Sequence, residues 1–178
     1  MLNNMDDLLE KTCAKLEAYD IQYMISGSLA LLAYSTPRMT RDIDIVVNIQ
    51  ESDLSKFLEI FKDGFYLHPQ SIQEEIKRRG MFNVIDYNSG FKIDFIVRKN
   101  TPFHINEFNR RIITNVYNFP AYMVSLEDLV IAKIKWIQEY QSENQINDIV
   151  NLIKNPNIDL EYVYKWCREM NLNTFNIL

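Results

Sequence analysis

The chain has 178 residues, 47% hydrophobic and 24% charged, with a formal net charge of −5. That length allows one folded domain burying about 70% of its unfolded surface, and the acidic balance argues against broad, non-specific nucleic-acid binding. The absence of a long apolar run excludes a transmembrane helix, Asp6, Asp7 and Glu10 do not suit a secretory signal, and two isolated cysteines, Cys13 and Cys167, give no disulfide framework and point to a cytoplasmic protein.

In chain order, Leu8, Leu9, Cys13 and Leu16 recur at helical spacing and predict a helix over 4–19. A strand follows over 21–26, then Gly27-Ser28, a helix over 28–35 and a second strand over 42–49. Gly27-Ser28 marks a strand-to-helix junction. It reads equally as a tight turn with Ser28 as N-cap and as a helix N-terminus whose N–H groups hold phosphate.

Asp42 and Asp44 lie in the Ile/Val run of the second strand. Residues i and i+2 of a strand share a face, so the two carboxylates project together, about 7 Å apart at the backbone. Ile43, Ile45 and Val47 project the other way, into a core. Two carboxylates on one face repel unless something positive stands between them. A hard divalent cation such as Mg²⁺ or Mn²⁺, which takes oxygen ligands and keeps substrate phosphates beside it, meets that need.

Helices are expected over 51–62 and 69–79, closed by Gly64 and Gly80 as C-caps. Two strands, 81–87 and 91–97, flank Asn88-Ser89-Gly90, a hairpin signal. Asp94 is the lone acid of the second of these, with Ile93 and Phe95 on its other face. It is the third candidate carboxylate and a candidate general base, with Asp86 on the partner strand as the next choice. A short helix over 102–109 and strands at 112–117 and 122–124 come next. From Leu126 the pattern is helical: Leu126, Leu129, Val130, Lys133, Ile134 and Ile137 share a face, Ser142-x-x-Gln145 is a capping box opening a helix to Lys154, and residues 159–170 form the last helix.

Several chemistries are excluded. The four glycines have neither the Gly-x-Gly-x-x-Gly nor the Walker A spacing, and Gly-x-Ser-x-Gly is absent. His68 and His104 cannot form a zinc cluster with two distant cysteines.

Taken in order, Gly27-Ser28, thirteen further residues, Asp42-Ile43-Asp44-Ile45-Val46-Val47 and a later Asp94 on its own strand resemble the DNA-polymerase-β-like nucleotidyltransferase superfamily. The likeness covers roughly residues 21–97, with a weaker echo to 154. It implies an α/β (α+β) fold, a small mixed β-sheet flanked by helices. A core over 1–122 would carry a C-terminal helical segment over 123–178 packed on it as one compact unit. It further implies two Mg²⁺ (or Mn²⁺) ions held by Asp42, Asp44 and Asp94, and a nucleoside triphosphate at Gly27 and Ser28. Residues 125–133 with Asn147-Asp148-Ile149-Val150 also resemble AbiE-type toxins and related bacterial nucleotidyltransferase-like proteins. There a helix Lys and a later helix Asp accompany the core, positions matched here by Lys133 and Asp148. Gln141, Ser142 and Asn144 occupy the stretch where that family usually has an Arg. On the residues alone Lys133 is equally a snorkelling surface lysine, and Asp148 a surface acid or the partner of Lys133.

The expectation is transfer of a nucleoside monophosphate from a nucleoside triphosphate to an acceptor hydroxyl of a small molecule, an RNA end or a protein. The alternative is a catalytically weak binding module of toxin–antitoxin type that works through a protein partner.

Overall fold

A computed structural model describes residues 5–36, 40 and 42–178; residue 4 of the first expected helix lies outside them. Helix α1 (Met5–Ala18) places Asp6 and Asp7 in its first turn and Lys15 in its last, charges that complement the helix dipole. It buries Leu8, Leu9, Thr12, Cys13 and Leu16 before strand β1 (Gln22–Ile25). A turn over 27–30 leads to a single helical turn, α2 (Leu31–Tyr34), then to β2 (Asp42–Asn48). Helix α3 (Leu54–Phe61), β3 (Phe65–Tyr66), α4 (Pro69–Arg78), β4 (Met81–Asp86) and β5 (Lys92–Val97) follow. The chain closes with α5 (Pro102–Asn109), β6 (Ile112–Val116), β7 (Phe119–Met123), α6 (Leu126–Trp136), α7 (Glu143–Leu152) and α8 (Leu160–Glu169).

The seven strands form one mixed sheet in the order β3-β4-β5-β2-β1-β7-β6. β2 and β5 are parallel neighbours, as are β1 and β7; the other pairs are antiparallel. The apolar sides of β2 and β5 behave as their period-2 pattern dictates: Ile43, Ile45, Val47, Ile93, Phe95 and Val97 are all fully buried. Phe95 meets Phe57 edge-on at 5.0 Å and stacks with Phe82 at 5.6 Å, a cluster that fixes the strand on which Asp94 sits. One continuous core runs from Leu8 to Cys167.

The helical end is tied to the sheet by polar groups. β7 enters beside β1, with Ile25 opposite Met123 and Val124 N–H donating to Ile25 O. Helix α6 therefore leaves the sheet at the end where Gly27 lies. Its N-cap, Ser125, accepts from Asp128 N–H. Asp128, fully buried, also accepts from Arg110 Nε at 3.0 Å and from Tyr162 Oη at 2.7 Å, while Arg110 Nη2 donates to Glu127 at 2.9 Å. The guanidinium lies 4.0 Å over the Tyr162 ring. These bonds lock α6 to α5 and α8.

Local departures from the sequence reading have identifiable causes. Strand β7 begins at Phe119, three residues ahead of the expected 122, pairing with β6 from Phe119 onward; Pro120 is accommodated because β1 pairs with β7 only at Met123, leaving one side of β7 open at Pro120. The two-residue strand β3 is too short to leave a periodic signal. The left-handed C-cap of α4 is Arg79, φ +54°, one residue before Gly80. Cys13 and Cys167 are both free and buried.

Candidate active site

The parallel register of β2 and β5 places Asp42 opposite Lys92 and Asp44 opposite Asp94. In one step the sheet therefore brings Asp42, Asp44 and Asp94 to one side. Asp94 is buried, Asp44 half-buried and Asp42 exposed, so the carboxylates grade from the sheet outward. Burial pushes the Asp44 carboxyl above its usual range, and the charges of Asp94 and Asp42 push it further. Lys133 and Lys92 pull it back. The Lys133 charge therefore reaches Asp44.

Gly27 closes the third side. Ser26 N–H donates to Asp44 O at 3.0 Å, which carries the chain past the Asp44 side chain. Gly27 sits at φ +62°, and a Cβ there would stand 2.8 Å from Asp44 Cβ, 2.6 Å from Cγ and closer still to Oδ2. Both the conformation and the contact demand glycine. The expected helix over 28–35 is corrected: residues 27–30 form a turn and α2 begins at Leu31, with Ala30 at its N-cap position and no side-chain cap. Ser28 accepts at its carbonyl from Leu31 N–H within that turn. A single helical turn supplies little dipole, so any phosphate contact here falls to the backbone of the turn.

Lys133 and Asp148 are brought together. Their ion pair is 2.9 Å long and almost wholly buried, and Lys133 Nζ also donates to Gln145 Oε1 at 2.9 Å. The surface readings of both residues are thereby replaced by a buried pair joining α6 to α7. Ser142 caps α7 by accepting from Gln145 N–H, while the Gln145 side chain turns to Lys133 instead of completing a capping box. Asp86 does not belong to the site: it accepts from Ser89 N–H and Oγ and closes the hairpin turn, while the β4 residue opposite Asp94 is Asn83. His68 caps α4 by accepting from Ser71 N–H. His104 is held by Thr101 and Lys135, its pKa lowered to about 4 by burial and neighbouring cations.

The sequence matches the model of the family described as nucleotidyltransferases of unknown function, DUF6036, over residues 2–177. The chain belongs to that family. No curated relative matches it. Among solved structures, this nucleotidyltransferase resembles ANT(2")-Ia in complex with adenylyl-2"-tobramycin, with a TM-score of 0.64 at 12% identity over 92% of this chain and 95% of that one. It also resembles the lincomycin-bound lincosamide antibiotic adenylyltransferase LnuA, with a TM-score of 0.54 at 14% identity over 84% and 96%. A nucleotidyltransferase-like protein from Paracoccidioides brasiliensis gives 0.54 at 16% identity over 92% and 87%. These likenesses confirm the α/β nucleotidyltransferase fold. No helix among the described residues is long and apolar enough to cross a membrane.

A divalent cation fits the donor set after one adjustment. Asp94 Oδ1 is buried and has no hydrogen-bond partner, an orphaned anionic oxygen that a cation would satisfy. Its other oxygen is engaged: Lys92 Nζ lies 2.7 Å from Asp94 Oδ2. Among the described residues no three acidic, His or Cys side chains already enclose one point. Lys92 carries no motif of its own. The i, i+2 spacing puts it on the strand face of Asp94, and the pairing of β2 with β5 sets it opposite Asp42 as well.

Proposed function

We propose that this nucleotidyltransferase moves a nucleoside monophosphate from a nucleoside triphosphate to an acceptor hydroxyl, with Mg²⁺ or Mn²⁺ as cofactor. The reading rests chiefly on the Asp44–Asp94 register pair, with Gly27 pressed against Asp44 and Asp94 Oδ1 left without a partner.

Asp42, Asp44 and Asp94 would hold the metal, which when bound supplies charge stabilisation to the attacking and leaving oxygens of an in-line displacement. The protein contributes position and charge, as phosphoryl-type transfers require. Gly27 lets backbone and triphosphate approach the carboxylates without a side chain between them, and Ser28 lies beside it for the phosphates. Asp94 accepts the proton of the acceptor hydroxyl or orients that hydroxyl. Lys133, held by Asp148 and Gln145, would lie behind Asp44, with part of its charge taken up by Asp148. The named ligands of the structural neighbours, an adenylylated tobramycin and lincomycin, favour a small-molecule hydroxyl as the first acceptor class to try.

The test is pyrophosphate release. Purified protein is given each of the four nucleoside triphosphates with Mg²⁺ or Mn²⁺, and hydroxyl acceptors from a fractionated cell extract. Acceptor-dependent pyrophosphate that vanishes in Asp42→Asn/Asp44→Asn supports the reading. Absence of pyrophosphate with every fraction, from protein that is folded and binds nucleotide, favours the binding-module alternative.

A further inference from the structure

Lys92 Nζ pairs directly with one of the three carboxylates, Asp94. The residue sits opposite Asp42 in the β2–β5 register, pairs with Asp94 Oδ2 at 2.7 Å, and shares its strand face with Asp94 by the i, i+2 rule. Its side chain is 42% exposed while that of Asp94 is 9% exposed. The ammonium therefore caps the cluster from the solvent side. Within the cluster, Asp94 Oδ1 remains buried and without a partner. A lysine placed for structure alone would be expected to leave its partner satisfied. Here one oxygen is neutralised and the other is held ready.

Resting on the metal-site reading above, we propose that Lys92 is the resident counter-ion of the carboxylate trio: it holds Asp94 Oδ2 while no divalent cation is bound, and withdraws toward solvent when one binds. Three considerations carry this. Asp42, Asp44 and Asp94 share one side of two adjacent strands, where like charges repel, so a cation among them stabilises the metal-free protein. A lysine ammonium is a compact charge on a flexible four-carbon stem, able to leave without moving the backbone. Its exit is open, since the Lys92 side chain is the exposed partner of the pair. Lys92 thus competes with the metal for Asp94 and sets the affinity of the site. It is a positioning residue, acting through Asp94.

Mn²⁺ binding, followed by calorimetry and by the electron paramagnetic resonance of the free ion, provides the test without any activity measurement. Lys92→Met keeps the apolar stem and removes the charge; Lys92→Gln is a second neutral variant should the first fold poorly. Removing a positive charge a few ångströms from the bound ion should tighten Mn²⁺ by about tenfold or more. The same variants should melt at lower temperature without metal and recover with it. Lys92→Arg, which keeps the charge, should bind no tighter than wild type, and Asp42→Asn/Asp44→Asn should not bind. If wild type binds Mn²⁺ at these aspartates and both neutral variants bind it equally or more weakly, Lys92 is not its competitor and the inference falls while the metal site stands. If neither wild type nor the neutral variants bind Mn²⁺, the metal-site reading falls, and this inference with it.

Discussion

Gly27 and Asp44 are packed so closely that the backbone of one forms the wall of the other. A Cβ on Gly27 would come within 2.6 Å of Asp44 Cγ, and the residue already holds φ +62°. A substitution therefore meets both a strained backbone and a collision with a carboxylate that faces Asp94. Gly27→Ala should destabilise the protein by roughly 2 kcal/mol and weaken Mn²⁺ binding, read by urea denaturation and calorimetry. Unchanged values in both would show that the two residues are not in contact in solution.

Asp94 offers a separation of binding from chemistry. Asp94→Asn preserves size and leaves Asp42 and Asp44 in place. Nucleotide binding should persist while transfer falls by about 10²-fold or more, the scale expected for loss of a general base or its equivalent. Single-turnover kinetics against equilibrium binding would read the two separately, and full transfer by the variant would remove Asp94 from the chemistry.

The Lys133–Asp148 pair, 2.9 Å long and with both side chains nearly inaccessible, predicts an asymmetry. Removing either charge alone leaves the other buried and should cost about 3–5 kcal/mol; replacing both with apolar residues of similar volume should cost much less. Lys133→Met, Asp148→Leu and the double variant, compared by chemical denaturation, form the cycle. Should the double variant fold well yet lose nucleotide binding, the pair serves the site as well as the packing of α6 on α7.

Glu107 supplies a pH dependence remote from the carboxylate trio. It is buried on α5, and burial first, then the charge of Asp128, raises its pKa from 4.5 to about 8, with Lys135 opposing. The folded protein holds this proton where the unfolded chain has released it. Stability from this group is therefore greatest below pH 4.5, falls as pH rises through the interval up to about 8, and is level above. Glu107→Gln should stabilise the protein by roughly 3 kcal/mol at pH 7 and flatten that slope. A stability curve of unchanged slope would contradict the assignment.

The strands carrying Asp42, Asp44 and Asp94 are legible in the sequence because their opposite faces are strictly apolar, and a period of two leaves no other reading of Ile43, Ile45, Ile93 and Phe95. Lys133 and Asp148 stand out as a matched pair only through a family likeness, since residues on separate helices share no local pattern. Lys92 is partly legible, since the i, i+2 rule puts it on the face of Asp94, but its place opposite Asp42 comes from the parallel pairing of β2 with β5, a register that no local signal encodes. The Arg110–Asp128–Tyr162 network joins three helices and is equally silent in sequence. Ser28 and Gln145 show the converse, since each fits a capping motif, yet α2 starts three residues after Ser28 and the Gln145 side chain answers to Lys133. Local chemistry proposes such partners, and tertiary contacts choose among them.

The measurement that bears most directly on the account uses one triphosphate labelled in two ways. Protein, Mn²⁺, an active extract fraction and ATP, or whichever triphosphate supports turnover, are incubated with the label at the α-phosphate in one tube and at the γ-phosphate in the other. Nucleotidyl transfer predicts α-label in the acceptor and γ-label in pyrophosphate, both lost in Asp42→Asn/Asp44→Asn. γ-Label in the acceptor would contradict the account, because it would mean that this site transfers a terminal phosphoryl group and not a nucleoside monophosphate.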